Sequence, residues 1–303
     1  MSTWHLPEMT PRQQKNCPPC IYIFVIFGEG GAAENGKHLL MMAQMPFPAT
    51  TIMQELLGRY ILRHGMEDYV INFGQNRLVI SCTDSESAFL YRRYGPGDQL
   101  LSESMIVSDE DDVVVGIFPI PPFMTPKSIA KNVYLKFKAQ VVMDQKSEAV
   151  LFSKIPIEIG VYRQSKDEEL LLDAFSMAHQ QYALYGPPET GVVCRYKESE
   201  VSASDTGFAV SRYEEATVRI HITNMVDNIV KVNRVIIPME WVVLDHAHDD
   251  AWLPGTVEMQ INATFGKEVV NVRLVEATAK RPDKTSVAAK REETLTFFMD
   301  AGY

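Results

Sequence analysis

From Gly58 onward, hydrophobic and polar residues alternate one for one along much of the chain. Between Asn132 and Val142, Val133, Leu135, Phe137 and Ala139 alternate with Tyr134, Lys136 and Lys138. Successive side chains of a strand point to opposite faces, so this period of two predicts one face on a core and one in water. The pattern recurs in Val218, Ile220 and Ile222, in Val257, Met259 and Ile261, and in Val270, Val272 and Leu274. Shorter apolar runs predict strands at 69–73, 78–82, 113–120, 150–154, 157–162 and 230–237. Many short strands with few helices between them are the pattern of β-sandwiches.

One stretch departs from the period of two. Ser165 followed by Glu168 matches a helix capping box, and Leu170, Leu171, Ala174, Phe175 and Ala178 then fall on one helical side. This predicts a helix within 165–182, and a second, brief one is allowed around 51–57. The expected fold is therefore mainly β, with two antiparallel β-sandwich-like units joined around one short helix. Residues 53–165 form the first unit, and residues 166–278 form the helix plus the second. Residues 1–52 hold no periodic pattern and read as an irregular or disordered extension. Residues 279–303 read as a charged linker and tail, with Thr294–Met299 as a final strand or docking segment. No period of 20 to 50 residues marks a repeat architecture.

Composition narrows the function classes. The chain has 303 residues, 46% hydrophobic and 22% charged, as in a packed globular protein. Its formal net charge of -10 opposes the approach of a polyanion, so no nucleic-acid partner is expected. The longest apolar run, Ile21–Phe27, is too short to span a bilayer, so no transmembrane segment is expected. Arg12 and Lys15 before that run resemble a signal peptide, but Pro18-Pro19 abuts it and Glu29 occupies the cleavage region. Cys17, Cys20, Cys82 and Cys194 are too few for a disulfide scaffold, which suggests a reducing, cytoplasmic setting.

Several motifs imitate chemistry. Gly31 to Lys37 matches a phosphate-binding loop, but His38 replaces the hydroxyl residue that would hold Mg²⁺. Gly28, Gly30 and Ala33 match a dinucleotide fingerprint without the βαβ unit it requires. Cys17 and Cys20 have redox or zinc spacing, but no second ligand pair accompanies them and two prolines separate them. Asp109 to Asp112 reads as a solvated acidic turn, since the glycine of a calcium loop is absent. The sharpest constellation is Asp245-His-Ala-His-Asp-Asp250. On a strand, His246 and His248 project to one face, and with Asp250 they make candidate ligands for a divalent transition metal. The competing explanation is a polar hairpin turn after Trp241–Leu244, closed by Pro254-Gly255. No cofactor is expected otherwise, and no acid–base pair or nucleophilic triad can be assembled from local spacing.

Two further stretches are distinctive: Pro156-Ile-Glu-Ile-Gly-Val-Tyr162, and Tyr182-Ala-Leu-Tyr-Gly-Pro-Pro188 running into Gly191-Val-Val-Cys-Arg-Tyr196. With Leu57-Gly-Arg-Tyr60 and Phe118-Pro-Ile-Pro-Pro122, they resemble the archaeal domain-of-unknown-function family 432, over roughly residues 53–275. The resemblance implies an archaeal source and an accessory role beside a membrane protein, and it brings no catalytic residues. These motifs read first as architecture. Glu158 and Arg195 are placed to pair across the junction of the two units, and Gly186-Pro187-Pro188 makes a rigid turn beneath Tyr185. The functional alternative is a binding surface of Glu158, Tyr162, Tyr185, Gly186, Arg195 and Tyr196, because Tyr and Arg serve as binding anchors. The expected function is a non-enzymatic module that binds a protein partner or itself, including peripheral association with a membrane protein. The alternative is a metal-binding protein or metal-dependent enzyme using His246 and His248.

Overall fold

The period-two segments become strands. A computed structural model describes residues 55–276 and 295–299, apart from 66, 84–87, 109–111, 123, 126–128, 166–168, 206–208, 241 and 265–266. All of these lie in one unit spanning Met53–Tyr303. In chain order the strands are β1 (Gly58–Arg63), β2 (Tyr69–Phe73), β3 (Asn76–Cys82), β4 (Ala88–Tyr94), β5 (Leu100–Val107), β6 (Asp112–Ile120), β7 (Asn132–Met143), β8 (Glu148–Pro156) and β9 (Glu158–Gln164). They continue with β10 (Glu169–Phe175), β11 (Tyr182–Tyr185), β12 (Val192–Ser199), β13 (Glu215–Asn224), β14 (Val230–Pro238), β15 (Asp245–Ala247), β16 (Asp250–Thr264), β17 (Lys267–Glu276) and β18 (Leu295–Met299).

The strands form four sheets with a sandwich-like distribution of buried faces. Sheets β1-β6-β9-β10 and β2-β3-β4-β5 share a core that includes Leu62, Phe73, Leu78, Phe89, Ile117 and Ile159. Sheets β11-β12-β7-β14 and β18-β17-β16-β13-β8 share a second core that includes Val133, Leu135, Ile155, Ile220, Val257 and Val272. The first two sheets are antiparallel, whereas β12 with β7 and β13 with β16 are parallel pairs. Residues 132–157 line the second core, although they precede residues 159–175, which line the first. Ile157 is buried in one core and Ile159 in the other, so the chain crosses between them at Glu158.

The helix expected within 165–182 is a strand. Glu169–Phe175 pairs antiparallel with β9, and its register shifts between Leu171 and Asp173, leaving Leu172 as an extra residue. Such a bulge breaks the period of two by one position, which produces the i, i+3 and i+4 apolar spacing that imitates a helix. The ladder to β9 and an ion pair at Asp173 then decide for the strand. Among the described residues, the one helical segment is a 3-10 turn at Pro96–Asp98. The brief helix allowed around 51–57 falls mostly outside the described residues, and Glu55 to Leu57 are not helical.

Candidate functional site

Glu158 and Arg195 meet, as their placement at the junction suggested. Glu158 begins β9 at the crossing point and is 0% exposed; Arg195, on the inward face of β12, is 2% exposed. Arg195 Nη2 lies 3.5 Å from Glu158 Oε1. The rest of the carboxylate is satisfied by the Met124 N–H at 3.0 Å and the Thr125 hydroxyl at 2.7 Å.

These contacts close into a ring. Arg195 Nη1 donates to the Tyr182 hydroxyl at 3.0 Å, Tyr182 donates to Gln180 Oε1 at 2.9 Å, and Gln180 Nε2 donates to the Thr125 hydroxyl at 2.8 Å. Thr125 then donates to Glu158, so polarity runs one way from guanidinium to carboxylate by two routes. Chains of this kind polarise one another, and a fully satisfied buried network specifies one geometry. The guanidinium also stacks 5.1 Å from the Tyr182 ring centre. Burial pushes the Glu158 carboxyl above its ordinary value, against the opposing pull of Thr125, Arg195 and the Met124 amide. The junction is filled rather than an open cleft.

The ring anchors the β11–β12 hairpin. Its tip turns at Gly186, where φ is +100°, a conformation that suits glycine. The Gly191 N–H donates to the Pro187 carbonyl at 2.6 Å, and a Cβ on Gly191 would stand 2.7 Å from that oxygen. Leu184 and Val193 form a cross-strand pair on the same face as Arg195, yet they are 46% and 37% exposed. Tyr182, at 40%, completes an uncovered apolar group on that face.

The other candidate residues divide between two places. On the opposite face of the same sheet, the Tyr134 ring lies 5.9 Å from Tyr185 and 5.7 Å from Tyr196, and Arg234 sits 5.8 Å over Tyr185. Tyr162 lies elsewhere, on β9, with its ring 6.4 Å from Phe118. The six residues proposed from sequence therefore do not share one surface.

The histidine constellation is a hairpin turn. Ala247 pairs with Asp250, and the two intervening residues, His248 and Asp249, have φ of +50° and +66°. Positive φ at both positions matches the twist of a two-residue hairpin, and His and Asp tolerate it better than most side chains. The turn sends the imidazoles apart. His248 Nδ1 lies 2.6 Å from Glu55, the His246 ring packs 5.7 Å from Phe118, and Asp250 pairs with Arg212 at 3.4 Å. Among the described residues, no group of three or more His, Cys, Asp or Glu side chains is arranged to hold a metal. Pro254 and Gly255 do not close the turn. They lie inside β16, where its register against β13 shifts.

Three polar anchors were not among the candidate site residues. Asp249 is 4% exposed and accepts the N–H groups of Leu56 and Leu57, at 3.0 and 2.9 Å, together with the Tyr213 hydroxyl. Asp173 accepts Arg93 Nε at 2.7 Å and the Tyr91 hydroxyl at 2.8 Å, tying β10 to β4. Glu215 holds Lys197 and the Ser211 N–H. Burial alone would push the Glu215 carboxyl up, but Lys197, Ser211 and Lys154 outweigh it and the net shift is downward. The signal available for Asp173 was one acid inside Leu-Leu-Leu-Asp-Ala-Phe, a residue that burial forces to find a partner.

The glycine-rich loop and the Cys17/Cys20 pair lie outside the described residues, as do three of the four acids at Asp109 to Asp112. The fourth, Asp112, pairs with Arg63 at 3.0 Å. Burial pushes the Cys194 thiol up to about 11, far from a reactive thiolate. Among the described residues, no helix is long and apolar enough to cross a membrane. Comparison with curated proteins and with solved structures found no match. A family model described as a protein of unknown function, DUF432, matches residues 57–300, and the chain belongs to that family.

Proposed function

We propose that this protein is a non-enzymatic binding or assembly module, and that the β11–β12 hairpin is its contact surface. One observation carries the proposal: a hairpin fixed at its root by a buried ion pair leaves Tyr182, Leu184 and Val193 exposed together on one face. An apolar group on a pre-ordered element loses little entropy on association, and aliphatic and aromatic side chains form the centre of protein interfaces. The occupant is a partner protein or a second copy of this chain, with peripheral attachment to a membrane protein as one form of the first. Four cysteines in 303 residues are too few for a disulfide scaffold and suit a cytoplasmic setting.

The test compares the full chain with Leu184→Asp and Val193→Asp, using light scattering across concentration and a photo-crosslinker placed at Thr190 in the hairpin tip. Concentration-dependent association, or a reproducible crosslinked protein from the native host, that disappears in both substituted chains supports the proposal. A wild type that stays monomeric and gives the same crosslinks as Leu184→Asp and Val193→Asp overturns it.

A further inference from the structure

β11 is an outer strand of its sheet, with β12 on one side and no described strand on the other. The Tyr196 N–H donates to the Gln181 carbonyl at 2.9 Å, one step beyond the cross-strand pair of Tyr182 and Arg195. Hydrogen-bonded and non-hydrogen-bonded pairs alternate along an antiparallel ladder. Ala183 and Tyr185 therefore bond to β12, while the N–H and C=O groups of Tyr182 and Leu184 point away from it. We propose that this free edge pairs with the same edge of a second copy of the chain, about a two-fold axis at Ala183, joining two sheets into one. It rests on the hairpin being the contact surface, and it names the occupant.

The edge complements itself. About that axis Tyr182 stands opposite the second copy's Leu184, and each of the two equivalent pairs exchanges both main-chain bonds, four in all. The same register sets the Tyr182 ring against the second copy's Leu184 on the uncovered face, with Val193 beside them. It also carries the tip of one hairpin to the root of the other. Pro187 falls opposite His179, which sets the exposed Glu189 near an exposed imidazole, an acid against a base.

The size and chemistry of the edge favour this occupant. Tyr182, Leu184 and Val193 are each less than half exposed, so their contact alone falls far short of the roughly 800 Å² per partner that a lasting interface buries. A paired strand adds main-chain bonds to that small apolar contact. Beyond Tyr185 the chain turns at Gly186 and runs into Pro187-Pro188, which have no N–H, so a longer foreign strand finds no further donors there. The outer strands β1, β5, β8, β10 and β14 carry charged residues, which discourage strand addition; β11 carries none.

Sedimentation equilibrium of the full chain across concentration reads the assembly, with Leu184→Ala and Leu184→Pro as a matched pair. Both lose the leucine side chain, but only proline loses the outward N–H, which takes no part in the ladder to β12. Two main-chain bonds per dimer go with it, so Leu184→Pro should dimerise about tenfold or more weakly than Leu184→Ala. A photo-crosslinker at the exposed Gln181 should join the wild-type dimer at Tyr185 of the second copy or a residue next to it. Thermal melts check that the variants fold, and if either is unfolded or too weakly associated to measure, the mapped crosslink decides. Equal dimerisation by the two variants overturns the proposal, as do Gln181 crosslinks that fall elsewhere on the second copy. A wild type that stays monomeric overturns it too. In that case a host protein captured at Thr190 and lost in Leu184→Asp would keep the hairpin as contact surface, with a different partner.

Discussion

The β11–β12 and β15–β16 hairpins show how differently a turn can be used. The second carries the residues that look like chemistry, yet its tip works as a fastener: Asp249 turns inward to take two backbone N–H groups and a phenol. The first looks like a plain Gly-Pro-Pro turn, yet it keeps its polar groups at the root and presents aliphatic side chains at the outer end. Ligand-type residues are informative only when their backbone lets them converge. At 248 and 249 a positive φ at both positions sends them apart.

The comparison can be broken most forcefully at the root of the first hairpin. Replacing Arg195 by Met strands Glu158 without its cation, and loss of one partner of a buried pair costs about 3–5 kcal/mol. Urea unfolding should show that loss, and the double variant with Glu158→Gln should recover part of it. A loss under about 1 kcal/mol would mean that the ring does not anchor the hairpin.

At the second hairpin, Asp249→Ala leaves three donors without their acceptor and should cost about 2–3 kcal/mol. His248→Gly at the neighbouring position should be neutral or stabilising by up to about 1 kcal/mol, because glycine occupies positive φ without strain. If the two effects were reversed, His248 rather than Asp249 would be the functional member of the turn.

The two buried carboxylates that meet β12 respond to pH with opposite sign. Glu158 is raised, so the folded chain holds its proton to higher pH than the unfolded chain does. Its contribution is greatest below the ordinary carboxylate pKa and is lost as pH rises through the raised value. Glu215 is lowered, so its contribution is present above the ordinary value and is lost as pH falls through the lowered one. Unfolding free energy measured against pH should therefore have a shallower acid limb in Glu215→Gln. In Glu158→Gln the decline toward higher pH should disappear.

The smallest effect on stability is expected where the effect on association is largest. Leu184→Asp replaces an exposed side chain and should change unfolding free energy by no more than about 0.5 kcal/mol. A larger loss would make Leu184 part of the core and remove the contrast between the hairpins.

Much of the strand content was legible because an exposed-and-buried sheet writes its period of two directly into the chain, as in β7 and β13. The Glu158–Arg195 pair was legible too, since each charge sits in an apolar strand where burial forces it to find a partner. The strand at Glu169–Phe175 was not. Its bulge at Leu172 gives a helical spacing, and the choice depends on a ladder to β9 and on Arg93, 80 residues away. Asp249 was hidden for a related reason: its partners at Leu56 and Leu57 are more than 190 residues distant.

By itself, then, the sequence determined a mainly β chain and a charge pair at the point where β9 begins, because both follow from local periodicity and the cost of burying a charge. Only the tertiary structure decided which polar groups are fasteners and which faces stay uncovered. Those outcomes depend on which sheet covers which face, a relation between residues that have no fixed spacing along the chain.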